Sequence, residues 1–175
     1  FDALPFARLV QRDEHVHELW VTERDGELDW TEHEAPAPYE DYFAARGLEL
    51  ADGQFADISF DWEEQYAEIC RFLTRGLIVT FDYGFPERQL FDARIRRFGP
   101  AAAYREQRVT RDLLRDPGMQ DLTAHINFTD LIRAGEPALE ASVVRQVEDV
   151  EVDEQAAVRA KLELASDAQI QDVQR

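Results

Sequence analysis

The sequence contains only one cysteine in 175 residues, Cys70, so no disulfide bond can form within the chain. It also lacks any apolar run that approaches the roughly 18 residues of a membrane-spanning helix. No secretory signal peptide is visible, and the first residue is phenylalanine rather than methionine, which predicts a processed or partial product. We therefore expect a cytoplasmic protein without membrane insertion.

Positive charge is scarce as well. The chain has 19 Lys and Arg residues against 37 Asp and Glu residues, which gives a net charge of −18. Proteins that bind nucleic acids or anionic membranes need basic surfaces, so the composition argues against both kinds of partner. A cationic partner, such as a protein that carries arginines, suits this charge better. The hydrophobic fraction of 45% indicates a folded domain with a sizeable core.

Several motifs of common active sites are absent. The sequence has no Walker loop, no Gly-x-Gly-x-x-Gly and no Gly-x-Ser-x-Gly. His15 and His17 share one face of a predicted strand, but they lack nearby Cys or His companions, so we interpret them as a solvated face and predict no metal site. Cys70 lies on the apolar face of a predicted helix, which favours an inert core position over a catalytic pair with His125.

The first half of the chain has clear signals for a β-hairpin and two helices. Residues 15–23 and 27–34 are rich in strand-forming residues, and Asp25-Gly26 between them predicts a hairpin turn. A short helix is expected at about 39–46. A longer helix is predicted over 61–76 because its apolar residues recur on one helical face. We predict Asp61 as its N-cap and Gly76 as the residue just past its end.

The second half begins with an apolar run that does not alternate. Residues 77–82 therefore predict a strand that is central, parallel to its neighbours and covered by the 61–75 helix. The following stretch, 86–118, is rich in arginine and is interpreted mainly as solvated surface. A helix is predicted over 127–135, with Asn127 or Thr129 as its cap and Gly135 as its stop. A strand is expected over 139–152 and a helix over 153–166.

The segment 116–128, DPGMQDLTAHINF, opens as a turn and ends as a helix start, yet it carries a carboxylate, a hydroxyl and an imidazole. Together with two other stretches it resembles one family. FDALP (1–5), GLIVTFDYG (76–84) and AYREQRVTRDLLRDPGMQDLTAHINFTDL (103–131) are similar to the MidA-like S-adenosylmethionine-dependent methyltransferases. The animal member of that family is a mitochondrial complex I assembly factor that methylates an arginine. The third stretch is the most specific of the three.

The resemblance implies an α/β fold, in the form of an incomplete Rossmann-like class I methyltransferase sheet with helices on both faces and an inserted β-hairpin at about 15–34. It covers residues 1–135, which would form the C-terminal part of the methyltransferase domain, and 136–175 would add a strand and a helix. The family's glycine-rich cofactor loop is expected upstream of Phe1. The cofactor implied is S-adenosylmethionine, with no contact residue assigned, and this chain alone is expected to be inactive.

The resemblance also implies site residues. Asp2, Asp82 and His125 are the candidate catalytic residues. Carboxylates orient a guanidinium and neutralise its charge, and a histidine can accept a proton or hold a carbonyl group of the substrate. The candidate substrate contacts are Pro5, Tyr83, Gly84, Tyr104, Arg105, Asp121 and Thr123. Structural alternatives stay open: Pro5 and Gly84 serve turns, Asp121 caps a segment, and His125 is a catalytic, substrate-contacting or purely structural residue.

The function implied is methylation of a protein arginine. The expected partners are a protein substrate, for which a respiratory-complex subunit is one candidate, and a second copy of the chain in a homodimer. Two other functions stay open. The first is a non-catalytic binding or assembly module on the same fold, and the second is methylation of a small molecule.

Overall fold

The computed structural model describes residues 1–73 and 78–135. The predicted strand over 139–152, the predicted helix over 153–166 and the helix-terminating role of Gly76 lie outside these residues. Within them, the chain forms a mixed α/β structure, which confirms the broad fold class.

The largest sheet has four antiparallel strands in the order β3-β2-β1-β4. They are β1 (Ala7–Arg12), β2 (His15–Arg24), β3 (Glu27–Glu34) and β4 (Phe55–Ile58). The hairpin predicted at 15–34 is confirmed as the β2–β3 pair. Its turn residues Asp25 and Gly26 have φ values of 56° and 87°, the left-handed conformation that tight hairpin turns require.

The two faces of this sheet are covered by different parts of the chain. Helix α1 (Ala37–Arg46), predicted at about 39–46, packs on one face and ends at Gly47 in the left-handed conformation. The core on that face consists of Leu9, Val16, Ala35, Tyr42, Phe43, Ala56, Ile58, Leu90 and Phe91. A second cluster, Ala101, Ala103 and Leu113, packs against Trp30 and Phe6.

Helix α2 (Asp61–Phe72) confirms the long amphipathic helix, and its buried side chains are Trp62, Tyr66 and Cys70. Cys70 is 1% exposed, as expected for an inert core cysteine. The N-cap prediction was wrong. Phe60 occupies the cap position without a side-chain hydrogen bond, and Asp61 lies in the first turn, where its charge still complements the helix dipole.

The prediction of a central strand over 77–82 was also wrong for its described part. Residues 78–83 form no strand, and Val79 and Phe81 are 51% and 61% exposed. Parallel pairing begins only at β5 (Gly84–Phe85), which pairs with β9 (Ile126–Asn127). The apolar composition of the run is suited to burial on both faces, but composition carries no information about whether neighbouring strands are present.

The remaining elements surround this parallel pair. Short helices α3 (Glu87–Leu90) and α4 (Ala93–Arg96) follow β5. A three-stranded antiparallel sheet in the order β7-β6-β8 comes next, built from β6 (Ala102–Arg105), β7 (Arg108–Thr110) and β8 (Asp121–Thr123). The segment 86–118 thus contains regular elements, and seven of its eight arginines are exposed, which confirms its interpretation as mainly solvated surface.

Helix α5 (Phe128–Gly135) confirms the helix predicted at 127–135. Asn127 is its cap, since its side-chain oxygen accepts a hydrogen bond from the Thr129 backbone N–H at 3.0 Å. The described residues end at Gly135, so its role as the stop stays a prediction. The turn at 116–118 is confirmed by positive φ values at Asp116 and Gly118, but β8 and β9 separate that turn from the helix.

Candidate active site

Three stretches that are distant in the sequence meet at the end of the β5–β9 pair. The Ala124 backbone N–H donates to the Asp2 carbonyl oxygen at 2.8 Å, and the Ile126 N–H donates to the Tyr83 carbonyl at 2.9 Å. The terminal ammonium of Phe1 donates to Asp82 Oδ2 at 2.6 Å. The structure therefore brings together the three stretches that carry the candidate catalytic residues.

The two candidate carboxylates differ in what they contact. Asp82 has a side chain only 7% exposed, and its oxygens accept hydrogen bonds from the Tyr83 backbone N–H and from the terminal ammonium of Phe1. Asp82 therefore holds the turn together. The Asp2 carboxylate lines a small cavity beside His125 and makes no hydrogen bond to any described residue. Of the two, Asp2 is the carboxylate that is available to a ligand.

His125 is half-buried between charged groups of both signs. Its imidazole lies 5.3 Å from the Phe85 ring, and its Nδ1 lies 3.5 Å from Arg96 Nη1. Burial lowers the pKa of His125 and the charge of Arg96 lowers it further, while Asp2 and Asp82 act in the opposite direction. The net shift is downward, so the neutral imidazole is favoured.

Arg96 is a component of this site that the sequence analysis missed. It is half-buried, its guanidinium lies 3.8 Å from the centre of the Phe85 ring, and burial lowers its pKa. Its Nε is buried and has no hydrogen-bond partner among the described residues. Eight arginines fall within 86–118, and nothing in their spacing distinguishes Arg96 from those on the surface.

The cavity beside Asp2 and His125 is too small for a cofactor. Its volume is about 20 Å³, room for about one water molecule. It is lined also by Ser59, Trp62 and Asn127. An S-adenosylmethionine molecule does not fit in this cavity, so we assign no cofactor contact to the residues that line it.

Three of the candidate substrate contacts lie together in a second, open groove of about 240 Å³. The groove is lined by Tyr104, Arg105, Glu106, Met119, Gln120 and Asp121. Tyr104 and Asp121 face each other across the β6–β8 pair, and Arg105 forms an ion pair with Asp116. The groove therefore presents an aromatic ring, a thioether and two carboxylates that make no ion pair with a described residue.

The other candidate substrate contacts lie outside this groove. Thr123 pairs with Ala102 at the far end of β8, and Pro5 is exposed in the turn after Asp2. Tyr83 is 73% exposed. A Cβ atom at Gly84 would lie 2.5 Å from the Ile126 carbonyl oxygen, so close packing of β5 on β9 already accounts for glycine there.

The described ranges contain no group of three or more His, Cys, Asp or Glu side chains that could hold a metal ion. His15 instead lies 3.3 Å from the Glu40 carboxylate on the exposed side of the hairpin. Within residues 1–73 and 78–135, no helix has both the length and the apolar character needed to cross a bilayer.

Comparison with known families gives one match that covers most of the chain. A family model described as "Putative S-adenosyl-L-methionine-dependent methyltransferase" matches residues 1–147. A search of curated proteins gave no match.

Two solved structures of a COG1565 superfamily protein from Burkholderia thailandensis are also similar. One contains bound S-adenosyl-homocysteine and matches with a TM-score of 0.72 and 26% identity, over 78% of this chain and 35% of its own length. The other is a native crystal structure with a TM-score of 0.71 and 26% identity, over 78% of this chain and 36% of its own. The chain thus spans about a third of the length of the solved structures that it matches.

Proposed function

Because this chain belongs to the S-adenosyl-L-methionine-dependent methyltransferase family whose model matches residues 1–147, we propose that it forms the C-terminal, acceptor-binding part of such an enzyme. We propose further that the acceptor is an arginine of a protein. In this proposal the β5–β9 pair belongs to a Rossmann-like sheet, and the β2–β3 hairpin is an insertion into it. S-adenosylmethionine, when bound, supplies the methyl group.

The observation that carries the proposal is the Asp2 carboxylate, which lines the cavity beside His125 and makes no hydrogen bond to a described residue. A guanidinium has a pKa above about 12, so it enters a site as a cation and needs a carboxylate to orient it. The acceptor nitrogen loses one proton as it gains the methyl group. A carboxylate in contact with that nitrogen stabilises the positive charge and can pass the proton to solvent.

The open groove supports a polypeptide acceptor rather than a small molecule. Asp121 in the groove and His125 beside the cavity are four residues apart on one extended segment, a separation of at most about 13 Å. A peptide whose arginine reaches Asp2 would therefore place a residue three or four positions away near Tyr104 and Asp121. The two groove carboxylates and the overall charge of −18 favour a basic residue at that position.

The rival function is a binding or assembly module without catalysis. One observation supports an enzymatic function over a binding module: one of the similar Burkholderia thailandensis structures contains S-adenosyl-homocysteine. The proposal also includes a respiratory-complex subunit as the substrate, a homodimer and a cytoplasmic location. Size-exclusion chromatography with light scattering tests whether the protein is a dimer.

The test is a kinetic comparison of Asp2→Asn with the wild type in the full-length protein that the gene encodes. Asparagine keeps the shape of aspartate and removes its charge. Loss of a charge-assisted hydrogen bond costs about 1.5–3 kcal/mol, or roughly tenfold to a hundredfold in kcat/KM for methyl transfer to an arginine peptide. The matched control is Asp41→Asn, which removes the same charge from an exposed position on α1.

Cofactor affinity is measured in parallel by calorimetry. The proposal predicts that Asp2→Asn binds S-adenosylmethionine as the wild type does, since Asp2 serves the acceptor. Equal activity of Asp2→Asn and Asp41→Asn would refute the role of Asp2. A full-length protein that binds neither S-adenosylmethionine nor S-adenosyl-homocysteine would support the binding module instead.

A further inference from the structure

The contact between Arg96 and His125 restricts where the histidine carries its proton. Arg96 Nη1 lies 3.5 Å from His125 Nδ1. A guanidinium has only N–H donors and no acceptor, so Nδ1 must be the acceptor in this contact. That is possible only for the neutral imidazole tautomer with its proton on Nε2, since an Nδ1–H would point at another donor.

Arg96 also contacts the aromatic ring that lies beside His125. Its guanidinium stacks on the Phe85 ring at 3.8 Å, and the same ring lies 5.3 Å from the imidazole, so one aromatic side chain contacts both groups. Arg8, Arg12, Arg46, Arg94, Arg105 and Arg133 each have a carboxylate within 4.0 Å. Arg96 has none in the described part of the chain, and therefore His125 receives its charge without neutralisation.

We propose that Arg96 is a positioning residue that holds His125 as the neutral Nε2–H tautomer, so that His125 donates a hydrogen bond to the acceptor instead of taking its proton. The Nε2 atom makes no hydrogen bond to a described residue, so its N–H is free to donate to an oxygen of the acceptor, such as a backbone carbonyl. The role toward the acceptor rests on the proposed function. The tautomer itself does not.

Opposing charges also face His125. Asp2, from the turn at the start of the chain, and Asp82, from the segment before β5, both favour a protonated imidazole. Asp82 accepts a hydrogen bond from the Tyr83 backbone N–H, and burial acts together with Arg96 against protonation. Arg111 lies near Arg96 and lowers its pKa, which adds positive charge to the same side of the site.

The experiment is ¹H–¹⁵N NMR of the full-length protein labelled with ¹⁵N-histidine, because the imidazole nitrogen shifts distinguish the two neutral tautomers and the imidazolium. In the wild type at neutral pH, His125 should show the Nε2–H tautomer as its main form. An Nδ1–H tautomer or an imidazolium at that pH would overturn the proposal without any variant.

Two variants test the contact. Arg96→Lys keeps the charge and a group that can only donate, so the tautomer and the titration midpoint of His125 should both persist. Arg96→Met loses both, so the midpoint should rise and the two tautomers should mix. The control Arg94→Gln removes a charge from the same short helix at an exposed position that is paired with Asp92, and it should change neither property.

An unchanged His125 spectrum in Arg96→Met, with the other resonances still dispersed as in a folded protein, would overturn the proposal. The methyl-transfer assay is read separately. The predicted tautomer in a protein that transfers no methyl group would leave the positioning of His125 by Arg96 standing and refute both the proposed function and the role of His125 toward the acceptor. Methyl transfer by a protein in which His125 is the Nδ1–H tautomer would refute the role of Arg96 and leave the proposed function standing.

Discussion

At the scale of single residues, the neutral state of His125 makes stability depend on pH. Its folded-state pKa is lowered below 6.5 by burial and by Arg96, so the unfolded chain binds more protons at this residue below about that pH. The stabilising contribution is therefore complete above pH 6.5 and is lost as the pH falls through that value toward the folded-state pKa.

The prediction is that the free energy of unfolding falls more steeply on acidification in the wild type than in His125→Gln, because the variant lacks this proton uptake. Urea denaturation at a series of pH values between 7.5 and 5 measures it. Parallel curves for the two proteins would show that His125 has the same pKa in the folded and unfolded states.

Gly84 gives a second prediction at this scale. An added Cβ atom would lie 2.5 Å from the Ile126 carbonyl oxygen and 2.9 Å from the Phe128 ring, so the β5–β9 pair would have to separate. Overpacking of this kind costs about 1–3 kcal/mol. Gly84→Ala should therefore lower the urea midpoint relative to the wild type. An unchanged midpoint would contradict the packing explanation.

At the scale of elements, a buried polar network joins α1 to the β9–α5 segment. Asp130 is fully buried, and its carboxylate accepts hydrogen bonds from Tyr42, Arg46, Asn127 and Arg133. Burial beside Asp130 raises the pKa of Tyr42, so the phenol stays protonated and donates. The network fixes the segment that follows His125, and so it supports the geometry of the site.

Asp130→Asn should be strongly destabilising, since it removes the buried carboxylate that pairs with Arg46 and leaves that half-buried guanidinium with only Glu63, at 3.7 Å, as a charge partner among the described residues. Breaking a buried ion pair by removing one partner costs about 3–5 kcal/mol. Chemical denaturation compares the variant with Asp41→Asn, which carries the same substitution at an exposed site. A loss no larger than that of the control would show that the network contributes nothing measurable.

The elements also show which features the sequence could predict. The β2–β3 hairpin and the helices α1, α2 and α5 were predictable because turn residues and helical periodicity are local signals. The conformation of residues 78–83 was not predictable, because a buried strand forms only where neighbouring strands are present, and the local sequence does not show whether they are. The convergence of Asp2, Asp82 and His125 came from a family resemblance, and Arg96 escaped notice because its role depends on tertiary contact with Phe85 and His125.

At the scale of the whole molecule, we expect cofactor binding to differ between the 175-residue chain and the full-length protein. The 175-residue chain should show no measurable binding of S-adenosylmethionine in a calorimetric titration. The cavity beside Asp2 and His125, with a volume of about 20 Å³, is too small for the cofactor, and the sequence has no glycine-rich loop. The full-length protein that the gene encodes should bind it. Micromolar binding by the 175 residues alone would show that the cofactor site lies within them.

The central claim is that the full-length protein transfers a methyl group to arginine. The most direct measurement incubates it with methyl-labelled S-adenosylmethionine and a peptide library that contains either arginine or lysine, and then locates the label by mass spectrometry. The account predicts methylarginine, enriched in peptides with a second basic residue three or four positions away and strongly reduced in Asp2→Asn. Label on lysine, or no label from a protein that binds the cofactor, would contradict it.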